Sequence, residues 1–227
     1  VDGPNARLGV AAAGKSYMDV RQALDELGFS ERDAAALGLR VYKIGMSWPL
    51  EPQGAKQFAD GLDEILVVEE KRPLIENQFA QLLFNADEGA RPGLTGKRDG
   101  DGERLLPEHG ELDPIQVAIV IGERLLTLGG PDELRQRIEK LRGRAEETLN
   151  SPVMALQRTP YFCSGCPHNT STRVPEGSVA MAGIGCHAMA AFRPERNTRL
   201  FTQMGGEGAN WIGQAPFTET PHAFQNL

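Results

Sequence analysis

Short apolar runs alternate with amphipathic stretches over residues 7–85, and this alternation predicts strands and helices in turn. Leu8 to Ala13 is uniformly apolar, the signature of a strand covered on both faces. Ser16 then offers a cap for a helix running to Leu27, with Gly28 as its stop. Leu39 to Ile44 gives a second strand, and about Gln53 to Leu62 a shorter helix. Ile65 to Val68 gives a third strand, with Glu69 and Glu70 at its exit. After Pro73 a helix carries Leu74, Gln78 and Leu82 along one line and Ile75, Phe79 and Leu83 beside it. A chain that alternates in this way builds a parallel sheet covered by helices, an α/β fold.

The pattern then breaks. Residues 86–112 are rich in glycine and charge and read as a solvated loop or linker. Asp113-Pro114 has the N-cap and first-turn chemistry of a helix start, and Ile115 to Leu128 is apolar enough to be buried before Gly129-Gly130. Pro131 to Leu149 reads as a charged surface helix. From Tyr161 onward glycines and short apolar runs return, as at the start of a second α/β unit. The expected division is an α/β domain at 1–85, linker loop and helices at 86–155, and a second domain at 156–227.

Composition narrows the possibilities. The chain has 227 residues, 40% of them hydrophobic, with a formal net charge of −7 and no basic block. That balance argues against nucleic acid or an anionic membrane as the main partner. No run of residues has the length and apolarity of a membrane span, and no signal peptide is evident. Three cysteines are too few for a secreted disulfide scaffold, so reduced thiols and a cytoplasmic location are expected. The start at Val1 and the end at Gln225-Asn226-Leu227, with no helix stop, suggest a piece of a longer protein.

Two patterns carry candidate chemistry. Gly9 to Ser16 satisfies G-x-x-x-x-G-K-[ST], which would place Lys15 and Ser16 on nucleotide phosphates and magnesium. The residues between the two glycines, however, are apolar and belong to the strand itself, so a plain strand-to-helix turn is expected. Glu69 and Glu70 are expected to be solvated at their strand exit.

The second pattern is the grouping of all three cysteines in one short stretch. Cys163 and Cys166 lie in C-S-G-C-P-H-N, and Cys186 in G-I-G-C-H between Gly183 and His187. Two thiolates from one turn grip a single centre, and a third from another turn extends the grip. Three readings remain open on spacing alone: an iron–sulfur cluster, a structural zinc completed by His168 or His187, and simple burial of small hydrophobes. A dithiol redox pair is a fourth, which Cys186 and Pro167 do nothing to support.

With these motifs, the chain resembles the 2-oxoacid:ferredoxin oxidoreductases, and within them the fused indolepyruvate ferredoxin oxidoreductases. The stretches R-L-G-V-A-A-A-G-K-S-Y-M-D-V (from Arg7), V-Y-K-I-G-M-S-W-P-L (from Val41) and I-L-V-V-E-E-K (from Ile65) resemble that family's transketolase C-terminal-like domain. The Cys-bearing part resembles the start of its thiamine-diphosphate-binding domain, here truncated. The resemblance implies that Cys163, Cys166 and Cys186 ligate a [4Fe-4S] cluster, and that Gly165, Ile184, Gly185 and His187 line thiamine diphosphate. It implies a fourth cluster ligand and the G-D-G motif for Mg2+ beyond Leu227. Glu207, in G-G-E-G, does not match the aspartate of that motif. The activity implied is oxidative decarboxylation of an arylpyruvate to an acyl-coenzyme A, with electrons passing to ferredoxin. No catalytic residue falls within this stretch, which would be inactive alone and would associate with other domains or subunits of the enzyme. The competing reading is a non-catalytic α/β module with a Cys3His zinc site.

Overall fold

A computed structural model describes residues 1–87, 91–150 and 159–227. The chain forms two compact units, Val1–Pro152 and Val153–Leu227, each with its own parallel sheet. No helix among the described residues is long and apolar enough to cross a membrane.

The first unit runs β1 (Leu8–Ala13), α1 (Gly14–Glu26), α2 (Glu31–Ala36), β2 (Leu39–Ile44), α3 (Pro52–Ala59), β3 (Glu64–Val68), α4 (Leu74–Leu83), β4 (Gly93–Thr95), α5 (Pro114–Thr127) and α6 (Glu133–Asn150). Its sheet has the order β2-β1-β3-β4, and every pairing is parallel. The strand pleat sorts side chains between two cores. Leu8, Val10, Ala12, Leu66 and Val68 face a core shared with α1, α5 and α6. Ala11, Ile65 and Val67 face the other, with Phe58 of α3 and Ile75, Phe79 and Leu83 of α4. Gly9 is a packing glycine: a Cβ there would sit 2.3 Å from Leu62 Cδ1 and 2.6 Å from Phe58 Cζ.

The three long strands lie where the apolar runs place them, while several local expectations need correction. Helix α1 begins at Gly14, so Ser16 is buried within its first turn instead of capping it. Helix α2 was not evident in the hydrophobic pattern. It is nucleated by a capping box, in which Ser30 Oγ accepts the Asp33 N–H and the Asp33 carboxylate accepts the Ser30 N–H. The stretch expected as linker loop and helices belongs to this unit: its two helices form as α5 and α6, but the loop adds strand β4 to the sheet, and Thr95, Lys97, Leu106 and Leu112 are buried. Helix α6 is not merely superficial, because Leu134, Ile138 and Leu141 form a narrow buried stripe. The expected start of α5 holds: Asp113 accepts the Ile115 N–H at 2.6 Å, and Pro114 opens the helix.

An ion pair locks this arrangement. The Arg124 guanidinium of α5 meets the buried Glu64 carboxylate of β3 through two hydrogen bonds of 2.7 Å. Thr95 of β4 donates to the same carboxylate at 2.7 Å. The bidentate geometry and the added hydroxyl satisfy Glu64 away from water, so the pair ties α5 and β4 to the sheet.

The second unit contains α7 (His168–Ser171), β5 (Val179–Ala182), β6 (Thr198–Phe201), α8 (Ala209–Gln214) and β7 (Ala223–Asn226), with 3-10 turns at Cys186–Phe192 and Pro194–Arg196. Strand order is β6-β5-β7, again wholly parallel, and β5 is buried along its full length. Both units are therefore α/β with parallel sheets.

Candidate functional site

The phosphate-loop pattern folds as the plain strand-to-helix turn. Lys15 Nζ donates to Asp19 at 3.0 Å, to Glu70 at 3.3 Å and to the Leu112 carbonyl at 3.2 Å, with Glu111 3.4 Å away. Its hydrogen bond to Asp19 chiefly, and then those to Glu70 and Glu111, raise its pKa above the usual lysine range. An ammonium already committed to three carboxylates has little to offer a phosphate. The expected solvation of the two strand-exit carboxylates also fails for Glu69. That residue is 7% exposed, and its carboxylate accepts the N–H groups of Leu74, Ile75 and Glu76, the unsatisfied donors at the start of α4. Glu70 accepts the Leu112 N–H at 3.2 Å; this bond, and then Lys15, lowers its pKa.

The cysteine motifs occupy the second unit. Cys163 and Cys166 share one tight turn, in which the Cys166 N–H donates to the Cys163 carbonyl at 3.0 Å. Gly165 supplies the left-handed residue of that turn at φ +73°, and nothing lies within 4 Å of where its Cβ would be. All three thiols are free; Cys163 and Cys186 are exposed and Cys166 is half-buried. Cys166 Sγ lies 3.2 Å from His168 Nδ1, and the His168 ring stacks on Phe162 at 5.5 Å between centroids.

Gly183 leaves the C-terminal end of the central strand β5 and leads into the second cysteine turn. Its N–H is shared between the Asn226 carbonyl at 3.2 Å and His187 Nε2 at 3.1 Å. His187 is buried, and accepting through Nε2 leaves Nδ1 as the ring position for a proton. Gly185 is required by this ring, because a Cβ there would lie 2.9 Å from His187 Cε1. Ile184 is 52% exposed between the two glycines. Glu207 packs on Gly183, where a Cβ would come within 2.8 Å of its Cγ, and its carboxylate accepts the Gly205 N–H at 2.7 Å. The segments after β5 and β6 thus meet at the C-terminal edge of adjacent parallel strands, where open α/β sheets bind their ligands.

The two cysteine turns are neighbours. The ring centroids of His168 and His187, each next to a cysteine motif, are 6.1 Å apart. Among the described residues, no three His, Cys, Asp or Glu side chains form a group that could hold a metal ion. A tetrahedral zinc needs its thiolates and imidazole about 2–2.3 Å from one point, so the arrangement gives a Cys3His zinc site no support. A four-iron cluster sets a less compact demand, since each thiolate binds a different iron. The turn geometry and the open space before Gly165 suit a bulky group approaching the backbone closely.

Two positioning residues had no recognisable signal in the sequence. The Asn169 side-chain amide donates to the Cys163 carbonyl at 3.2 Å, and Arg196, far along the chain and buried, donates to the Asn169 carbonyl at 2.8 Å. Asn169 is local to the turn, six residues from Cys163, whereas only the return of the chain after β5 brings Arg196 to it.

Comparison with known proteins shows the family of the chain. A family model described as an indolepyruvate oxidoreductase domain matches residues 1–148. The chain is 28% identical over 206 residues to the indolepyruvate oxidoreductase subunit IorA of Thermococcus kodakarensis, covering 88% of this chain and 28% of that protein. It is 27% identical over 212 residues to the subunit of the same name from Pyrococcus abyssi, covering 91% and 29%. The chain therefore spans less than a third of the length of these relatives. A solved structure titled a split gene transketolase, inactive beta4 tetramer, aligns with 54% of the chain at 18% identity and a TM-score of 0.38, too low to bear on the fold. The family match covers the whole first unit up to the last residues of α6, and the IorA alignments extend across nearly all of the chain, so this chain belongs to the indolepyruvate oxidoreductase family.

Proposed function

We propose that this chain is part of an enzyme that oxidatively decarboxylates indolepyruvate or a related arylpyruvate to an acyl-coenzyme A and passes the electrons to ferredoxin. One observation carries the reading: two cysteine-bearing turns, the first holding Cys163 and Cys166 and the second Cys186, are brought side by side at the His168–His187 contact. In this assignment Cys163, Cys166 and Cys186 hold three corners of a [4Fe-4S] cluster, with a fourth thiolate from elsewhere in the enzyme. Gly165, Ile184, Gly185 and His187 line the thiamine diphosphate, whose Mg2+ is held outside this chain. When bound, thiamine diphosphate supplies the electron sink for decarboxylation and the cluster accepts electrons singly at low potential.

The protein's own groups have separable tasks. Gly165 leaves room for close approach to its backbone, and Ile184 presents an apolar side chain that keeps water from one wall. His187, anchored by the Gly183 N–H, holds the second turn in place, with its proton position at Nδ1. His168, beside Cys166 Sγ, is placed to donate to a thiolate and so stabilise its negative charge. Other subunits and domains, a 2-oxoacid, coenzyme A and ferredoxin are the partners this assignment requires, in a cytoplasmic setting.

The test is anaerobic purification of the enzyme from its full reading frame, with iron, sulfide and zinc measured. A brown protein with about four irons and four sulfides per site is expected, losing most of that iron in Cys166→Ser. A colourless protein with one zinc per chain overturns the proposal in favour of the structural-metal module.

A further inference from the structure

The second unit contains a concentration of arginine that its own carboxylates do not neutralise. Arg196 is 4% exposed, and its Nε finds no hydrogen-bond acceptor among the described residues. Its Nη1 donates to the Asn169 carbonyl at 2.8 Å, and Arg173 Nε donates to that same oxygen at 3.2 Å. Two guanidinium nitrogens bonded to one atom lie within 6.0 Å of each other, the sum of those two distances. Arg193 stands close by, and among the described residues Glu195 is the carboxylate paired with this group. It pairs with Arg193 at 2.7 Å and reaches no nearer than 3.8 Å to Arg196 Nε. Burial first, then the charges of Arg173 and Arg193, push the Arg196 guanidinium below its ordinary pKa. Three cations facing one carboxylate, one of them buried with a free donor, is a costly arrangement unless an anion completes it.

We infer that Arg173, Arg193 and Arg196 form an oxyanion site for a phosphate group, with Arg196 Nε as its buried donor and Arg173 as its exposed arm. Guanidinium forks match the tetrahedral oxygens of phosphate, and two forks converging on one region favour a phosphate over a monodentate anion. The site is distinct from the thiols, although Asn169 links the two, since its carbonyl carries both arginines and its amide holds the Cys163 carbonyl. Either a free phosphate ion or the phosphate of a nucleotide has this chemistry.

The experiment titrates inorganic phosphate and, separately, adenosine 5′-monophosphate into the full-length enzyme by calorimetry, against chloride at matched ionic strength. Saturable binding of one phosphate per chain is expected, weakened about tenfold or more in Arg173→Gln, as loss of one charged hydrogen bond implies. Because Arg173 is exposed, that variant should keep the fold, and Arg193→Gln provides a second weakening. Tighter binding of the nucleotide identifies it as the source of the phosphate; binding of inorganic phosphate alone identifies the free ion. No saturable binding, an equal effect from chloride, or unchanged affinity in both variants overturns the inference. None of these readouts depends on iron or thiamine.

Discussion

The two units bury their sheets to very different degrees. In the first, strands β1 and β3 are covered on both faces, and Glu64, Glu69 and Lys97 are buried with their polar atoms paired. In the second, only β5 is fully covered. Ten of the fifteen large apolar side chains left exposed among the described residues belong to it, including Phe201, Met204, Ile212 and Phe217. A parallel sheet is ordinarily buried on both faces, so the second unit is a sheet waiting for cover. Charge divides in the same direction. Residues 1–152 carry 27 acidic and 19 basic side chains, whereas 153–227 carry four and five. The closed unit supplies a frame, and the open one carries the thiols, the glycines and the arginines. Chemistry that needs ligand access sits where self-sufficient packing has been given up.

The sharpest way to break this comparison is to truncate one large side chain in each unit. Phe79 is fully buried, and Phe79→Ala should cost about 3–5 kcal/mol in urea-induced unfolding. Phe217 is 89% exposed, and Phe217→Ala should change stability by no more than about 0.5 kcal/mol. Equal effects would show that the second unit is not open.

Next in size is the Glu64–Arg124 pair. Removing the carboxylate in Glu64→Ala strands a largely buried guanidinium and should cost about 3–5 kcal/mol, visible as a lower midpoint of chemical denaturation. A loss below about 1 kcal/mol would mean that β4 and α5 are held by packing alone.

Overpacking gives a smaller effect that differs in kind between the units. Gly9→Ala, pressed between Leu62 and Phe58, should destabilise by about 1–3 kcal/mol. Gly185→Ala instead pushes on the His187 ring, so its main consequence should be a disordered second cysteine turn, read, under the proposed cluster assignment, as reduced iron retention with the first unit's unfolding unchanged.

The smallest effect is electrostatic. The Leu112 N–H, and then Lys15, hold the Glu70 carboxyl below its ordinary range, so its contribution is present above the ordinary glutamate pKa and lost as pH falls through the folded pKa. Glu70→Gln should therefore lower stability slightly at neutral pH, only slightly because Lys15 and Glu70 are both partly exposed, and leave the acid end, where Glu70 is protonated in both states, unchanged, so that the acid limb is a little flatter. Glu76 has the opposite sign. Burial raises its pKa, so its ionisation costs stability as pH rises, and Glu76→Gln should be neutral or mildly stabilising at pH 7 in thermal unfolding.

Periodicity alone located β1, β2, β3, α4 and α5, because continuous apolar runs and the 3.6-residue repeat report burial directly. The capping chemistry of Asp113-Pro114 was equally local and equally legible. Strand β4 was hidden in a glycine-rich, charged stretch: three residues beside β3 pair through backbone groups, and pairing of that kind leaves no side-chain pattern. Glu69 looked like a solvated charge, since its partners are N–H groups five to seven residues ahead that only the turn into α4 presents.

For the candidate site, the sequence determined which atoms are available: three thiols on two glycine-bearing turns, with a histidine beside each. Tertiary structure decided that the turns are neighbours, that His187 is spent on the Gly183 N–H, and that Arg196 reaches back to Asn169. The reason is range. Residue type and spacing encode chemistry and local turns, whereas meetings between residues 27 positions apart depend on how β5 and β6 stack in one sheet, which no local pattern records.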